Sequence, residues 1–328
     1  MMFRVLCAAL FLGLATRSLA AGDPRAELLA ELQRIAESSG GQMGISAIAL
    51  KTGERVQLNA TARYPMASTF KVAVALKVLD DVDRQKLSLQ QRVRIEGGNL
   101  SAGSGEILKD MNPGNPAMDS TVGDLLEVMM TLSDNTATDQ LLALVGGPKA
   151  VTRHLRGLGV VEIDVDRPSS QLVADSWGFK LPPEGQRTLE NIKKAVNSTS
   201  RPGRQRASER FLADPRDSTT PDAMVAILEK LVAGKALSRE GTERLLDIMA
   251  RCKTGPRRLK GEMPPGLPLA HKTGTLTLIA TNDVGIITLP WGGGQLLVAA
   301  YVRGSTLPLQ QQERAIAAAG GALFRYFK

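Results

Sequence analysis

The chain has 328 residues, 43% of them hydrophobic, which is enough apolar side chain for a full core and excludes a disordered or fibrous protein. Forty-one Lys and Arg face 33 Asp and Glu, a formal +8, yet aromatics make up only 4%, too few for a platform that stacks single-stranded nucleic acid. Two cysteines and two histidines exclude a disulfide scaffold, a Cys-rich zinc site and a His-rich metal centre, and no metal or organic cofactor is implied.

Met1-Met2-Phe3-Arg4 is a short basic start, the apolar run 5–15 is too short to span a bilayer, and Ser18-Leu19-Ala20 supplies small residues for a signal peptidase. This layout predicts a signal peptide over residues 1–20 and a secreted or periplasmic mature protein. Arg4-Val5-Leu6 lacks the small residues that precede a lipidated cysteine, so no stable membrane anchor is expected at Cys7. Cleavage removes Arg4 and Arg17, leaving 39 basic against 33 acidic residues, +6, with Cys252 as the sole thiol. Export also removes nucleic acid from the expected partners.

Leu28, Leu29, Leu32 and Ile35 recur at helical spacing and predict an amphipathic helix over 24–38. Residues 44–50 and 55–58 read as strands around the turn Lys51-Thr52-Gly53-Glu54. The pattern is then mainly helical, clearest over 68–80, 121–132 and 135–145. Thr220-Pro221, an N-cap followed by an N1 proline, starts another helix that runs to about Val232. Strands return at 269–277, 282–289 and 295–302, and a last helix covers 308–326. Segment 174–217 breaks this order with Pro182-Pro183, a short helical piece near 187–196 and Arg201-Pro202-Gly203-Arg204, and reads as a long surface insertion. Eight basic residues against Glu190, Glu209 and Asp214 put most of the positive excess into 187–216, a solvated loop or an attractor of anionic cell-envelope polymer. The expected class is α+β. An antiparallel sheet with flanking helices comes from 21–67 and 218–328, a mainly helical lobe from 68–217, and the cleft between them is the natural ligand site.

Ser68-Thr69-Phe70-Lys71 is the only Ser-x-x-Lys in the chain. At a helix start it puts a hydroxyl at the positive end of the dipole and an amine one turn on, on the same face. Burial and a second cation would lower the lysine pKa enough for it to take the serine proton. Ser133-Asp134-Asn135, the only Ser-x-Asn, lies between two helical segments and reads either as a helix cap or as a proton relay with an amide that grips substrate. Lys-Thr-Gly occurs at 51–53, 253–255 and 272–274, but only Lys272-Thr273-Gly274 continues, through Thr275, along a strand pattern. Glycine there allows close backbone approach, and a backbone N–H could polarise a substrate carbonyl. A Ser-His-Asp scheme is the rival. His154 lies in a helical pattern and His271 alternates away from Lys272, which argues against it.

This ordered set resembles that of the class A β-lactamases and penicillin-binding proteins. The chain is similar to the class A β-lactamase family well beyond the motifs, in Tyr64-Pro65-Met66-Ala67, Val145-Gly146-Gly147-Pro148, Arg216-Asp217-Ser218-Thr219-Thr220-Pro221, Thr254-Gly255-Pro256-Arg257-Arg258-Leu259-Lys260-Gly261 and Thr281-Asn282-Asp283-Val284-Gly285. The resemblance implies the serine β-lactamase fold, a monomer, and a β-lactam or peptidoglycan-like substrate. Ser68 would be the nucleophile, Lys71 would help deprotonate it, and Ser133 would pass the proton to the ring nitrogen. Asn135 and Lys272 would position substrate and charge, Thr273 and Thr275 would hold its carboxylate, and the backbone N–H groups of Ser68 and Thr275 would form the oxyanion hole.

The family's omega loop opens with Arg-x-Glu-x-x-Leu-Asn, whose glutamate activates the water that frees the acyl-enzyme. Here the match is Arg167-Pro168-Ser169-Ser170-Gln171-Leu172-Val173, with Ser169 in place of the glutamate and Val173 in place of the asparagine. Asp217 is the expected ion-pair partner of Arg167. Three readings follow: Asp175, Glu184 or Glu190 supplies another base and β-lactams are hydrolysed; deacylation is slow, as in a penicillin-binding D,D-peptidase; or the protein is acylated once, as a binding or sensing module. No arginine lies between Lys272 and Tyr301 to bind a substrate carboxylate, which leaves Arg257 or Arg258, or a solvated loop arginine with no such role.

Overall fold

The computed structural model describes residues 23–105, 107 and 117–328; the expected signal peptide lies outside them. Helix α1 (Pro24–Ser38) starts where Asp23 accepts a hydrogen bond from the Arg25 N–H and proline occupies the first turn. Strands β1 (Gln42–Ala49) and β2 (Glu54–Leu58) form the expected hairpin. They join β7 (Leu269–Leu276), β8 (Ala280–Leu289) and β9 (Gly294–Arg303) in one antiparallel sheet of order β2-β1-β9-β8-β7. The first hairpin thus pairs with the last strand, Ser46 opposite Ala299, which joins the two ends of the chain in one layer.

One sheet face is covered by α1 and the last helix, α11 (Leu309–Phe327), around Leu28, Leu32, Ile45, Val298, Ile316 and Leu323. Each such side chain is worth roughly 1.5–3 kcal/mol relative to exposure. On the other face lies the larger core, centred on α2 (Lys71–Asp83), whose residues Val72 to Leu76 are all wholly buried. A helix buried all round belongs at a domain centre, and this one carries the site's first lysine inward. Around it stand α3 (Val122–Thr131), α4 (Asn135–Leu144) and α5 (Pro148–Gly157), while α9 (Pro221–Val232) packs between this core and the sheet.

Several elements escape the sequence pattern. Two-residue strands β3 (Tyr64–Pro65) and β6 (Ser218–Thr219) pair, as do β4 (Arg92–Glu96) and β5 (Ala117–Thr121), and α10 (Arg239–Ala250) follows α9. The larger correction concerns 174–217, which is not a solvated surface loop. It folds as the end of α6 (Ser169–Trp177), then α7 (Leu189–Asn197) and α8 (Arg201–Ala213). Thr188 and Ser200 cap the last two through the N–H groups of Asn191 and Gly203, and Ile192, Ala207 and Phe211 are buried. Most of the segment's basic residues are exposed, with Arg204 5.7 Å from the Trp177 ring centre, but Arg187 is half-buried before α7 and Lys193 lines the cleft that holds Ser68.

Candidate active site

Ser68 lies in a 3-10 turn, Ala67–Phe70, that leads directly into α2. Ala67 holds φ +46°, a left-handed conformation that costs energy and turns the serine toward the cleft. Two neighbours hold this turn. The Asn282 side-chain amide on β8 donates to the carbonyls of Pro65 and Met66, both at 2.9 Å. Gly274 on β7 lies so close that an added Cβ would come within 2.6 Å of the Met66 carbonyl and 3.1 Å of the Ser68 nitrogen. Glycine is what lets the Lys-Thr-Gly strand reach the nucleophile's backbone.

Lys71 is wholly buried, and its ammonium donates to the Ser133 carbonyl and to Asn135 Oδ1, both at 2.7 Å, with Ser133 Oγ at 3.3 Å. Burial, then the nearby Lys272 charge, push its pKa well below the ordinary lysine value, against the opposing pull of Asp134 and Asp139. Lys272, equally buried, donates to Ser133 Oγ and the Thr273 carbonyl, both at 2.9 Å, and burial is the main cause of its pKa falling to about 8. Ser133, held at φ +60°, therefore places its hydroxyl between two amines from different elements. Asn135 opens α4, and its side-chain amide donates to the Ala102 carbonyl at 2.6 Å.

Ser68, Ser133, Asn135, Thr273 and Thr275 line one cleft of about 660 Å³. Thr273 and Thr254 share a hydroxyl contact of 2.5 Å on its wall. Of the two candidate arginines, Arg257 is largely exposed, whereas Arg258 is buried. Arg258 donates to Thr275 Oγ1 at 2.6 Å and to the carbonyls of Gly274 and Asn282 at 2.9 and 2.8 Å, with Glu313 on its Nε at 3.2 Å. The cleft also reaches the segment first read as a surface insertion: Trp177, Leu189, Ile192 and Val196 form one of its walls. Neither histidine bonds to Ser68. His271 pairs with Asp283 at 2.9 Å on the far face of β7, and His154 faces Asp80 at 3.6 Å.

A profile described as the beta-lactamase enzyme family (Beta-lactamase2) matches residues 27–327. The chain belongs to that family. Among its relatives, it is 29% identical to β-lactamase L2 of Stenotrophomonas maltophilia over 280 residues, 85% of this chain and 79% of that protein. It is 31% identical to the extended-spectrum β-lactamase PER-1 of Pseudomonas aeruginosa over 286 residues, 83% and 78% of the two chains. The β-lactamase from Chitinophaga pinensis superposes with a TM-score of 0.74 at 27% identity, covering 91% of this chain and 98% of the other. The class A β-lactamase reconstructed as the last common ancestor of Gram-negative bacteria gives 0.75 at 30%, covering 92% and 99%.

Within this class A fold, the acidic residues proposed from sequence as a substitute base are not in the cleft. Asp175 is spent on Arg167 at 2.8 Å and Gln171 at 2.6 Å, and Glu184 and Glu190 are exposed away from its lining. The carboxylate that meets Ser169 is Asp139, which sequence reasoning missed. Its Oδ1 accepts from the Ser169 N–H at 2.5 Å, and its Oδ2 from the Ser170 N–H at 2.9 Å and Ser101 Oγ at 2.7 Å. The available signal was its position one helical turn after Asn135.

Cys252 sits behind the Lys272 strand, half-buried, with its Sγ 3.3 Å from Thr254 Oγ1. Burial alone would push the thiol up, but His271, charged through Asp283, together with Lys272 and Thr254, brings it down to about 7. The thiolate therefore forms as pH rises through about 7, below the ordinary midpoint near ~8.5. Alkylation of the mature protein by iodoacetamide, followed by intact mass, should have its midpoint there, and a midpoint at the ordinary value would show that His271 does not act on the thiol.

Proposed function

We propose that this protein opens β-lactam rings through a covalent acyl-enzyme on Ser68. The observation that carries the reading is the Ser133 hydroxyl bridging two wholly buried lysines in the cleft that holds Ser68. A lysine with a lowered pKa holds an unprotonated fraction near neutrality, so Lys71 can take the Ser68 proton as Oγ attacks the lactam carbonyl. The carbonyl oxygen, charged in the tetrahedral intermediate, would lie against the backbone N–H groups of Ser68 and Thr275. Ser133, bonded to both amines, would relay a proton to the ring nitrogen as the C–N bond breaks. Asn135 would hold the substrate amide. Thr273, Thr275 and Lys272 would hold the carboxylate, with Arg258 adding the guanidinium that the stretch between Lys272 and Tyr301 lacks.

This reading takes the protein as an exported monomer that acts in the periplasm or outside the cell, and every group named comes from one chain. The replacement of the omega-loop glutamate by Ser169 favours a second reading, in which acylation is normal and release is slow, as in a penicillin-binding D,D-peptidase or a β-lactam sensor. The discriminating experiment mixes purified mature protein with a chromogenic cephalosporin and follows both product and intact mass. Sustained product release with a transient adduct supports hydrolysis. One equivalent of product with a persistent adduct overturns it in favour of the second reading.

A further inference from the structure

Helix α7 turns one face to the cleft that holds Ser68: Leu189, Ile192, Lys193, Val196 and Asn197 all line it. They follow one another at the three- and four-residue steps of a single helical stripe. Ile192, 5% exposed, anchors the helix in the core, while Leu189 and Val196 are half-buried beside it and keep apolar surface for the cleft. The wall is tied at both ends. Before α7, the Arg187 N–H donates to the Gly98 carbonyl at 2.6 Å, and the Arg187 carbonyl accepts from the Leu100 N–H at 3.1 Å. Two residues on, the Ala102 carbonyl takes the Asn135 side-chain amide, so α7 is fastened to the segment that holds the group expected to grip the substrate amide. At the other end, Arg204 on α8 donates to the Val196 carbonyl at 3.2 Å and lies 5.7 Å from the ring centre of Trp177, the next residue of the wall.

Charge gives this wall a sign. No carboxylate is among the described residues that line the cleft, and their cations are Arg258 and Lys193. Arg258 is bound to Thr275, Gly274, Asn282 and Glu313. Lys193 is exposed and forms no ion pair with a described residue, Glu190 on its own helix included. A cleft of about 660 Å³ is large enough to bury a whole drug-sized ligand. We propose that this face of α7 is the subsite for the substrate's acyl side chain and selects one with an apolar or aromatic body and an acidic group, the body on Leu189, Ile192 and Val196 and the acid on Lys193. The apolar stripe supplies affinity. The ammonium supplies discrimination, because nothing else on the described cleft wall competes for it.

This assignment rests on the β-lactam reading of the cleft, and its test separates the two. Carboxybenzylpenicillin and benzylpenicillin differ by one carboxylate, beside the phenyl ring of the side chain. Calorimetry gives the Kd of each for the mature Ser68→Ala protein, which cannot be acylated there, and for the same protein carrying Lys193→Met, Lys193→Arg or Lys194→Met. Lys194 is the control, an exposed lysine of the same helix that does not line the cleft. The carboxybenzyl compound should bind about three- to tenfold more tightly than its partner. That preference should vanish in Lys193→Met, persist in Lys193→Arg and Lys194→Met, and shrink as salt rises from about 0.05 to about 0.5 M. Equal affinities in the Ser68→Ala protein, no binding of either penicillin, or a preference that survives Lys193→Met would overturn the assignment. An equal loss in Lys194→Met would also overturn it, reducing the effect to the net charge of the segment. The Ser68 parent is mixed separately with benzylpenicillin and weighed intact. Absence of an adduct there removes the acyl-enzyme reading, while the calorimetric ratio still decides the subsite.

Discussion

Replacing Lys71 by methionine should slow acylation of Ser68 by about 10²–10⁴-fold without unfolding the protein, and Ser68→Ala should yield no adduct at all. Methionine fills most of the same volume, so the buried helix stays packed. The Ser133 carbonyl and Asn135 Oδ1 lose a donor, but one of two buried ammonium groups disappears as well, which relieves their repulsion. The pH dependence follows from signs. The reactive form of Lys71 is the free amine, so the acylation rate climbs as pH rises through its pKa and levels off above it. Lys272 is the cation that pushes this pKa down after burial, so Lys272→Ala raises it, and the climb moves to higher pH. Stopped-flow acylation across a pH series measures both effects. Full-rate acylation by Lys71→Met would assign the base elsewhere, and an unmoved climb in Lys272→Ala would mean that the two amines do not interact.

How far such groups could be read in the sequence depends on whether their partners are local. Helix α1 is legible from the spacing of Leu28, Leu29, Leu32 and Ile35, and the start of α9 from Thr220 with Pro221, because both signals are local. The strand carrying Lys272 stands out among three Lys-Thr-Gly triplets because only that triplet sits within a strand. Ser133 could be suspected but not decided, since a capping serine and a bridging one look alike until Lys71 and Lys272 arrive from residues 62 and 139 positions away. Arg258 was one of a pair, and burial against Glu313 and Thr275 separates it from Arg257. Asp139 gave no compositional sign, because its donors come from a segment 30 residues on that reads as loop. That segment deceived for a physical reason: its prolines and arginines suggest solvent, while the few apolar residues that dock it, such as Ile192 and Phe211, are widely spaced.

Asp217→Ala should destabilise the fold by about 3–5 kcal/mol, the largest single loss of stability expected from a side chain outside the reacting groups. Arg167 is buried, with Nε 2.5 Å from Asp217 Oδ2, and its Nη1 reaches Asp175 at 2.8 Å and Asp214 at 3.2 Å. Burial opposes the guanidinium charge, and the Asp217 carboxylate more than offsets this, so the arginine pKa lies above its ordinary value. Removing the carboxylate strands a buried cation, since Asp175 and Asp214 are partly exposed and screened by water. It also leaves the N–H groups of Asp166 and Arg167 without the acceptor they share, Asp217 Oδ1. A third cost is backbone: position 217 holds φ +51°, which aspartate tolerates better than alanine. The same network fixes the start of α6, where Ser169 and Ser170 meet Asp139, so the loss should also shorten the time that this segment resists proteolysis. Urea unfolding of the parent, Asp217→Ala, Arg167→Met and the double variant measures the coupling. Strong non-additivity is expected because the double variant no longer buries a lone charge, and additive losses would show that the pair contributes packing rather than charge.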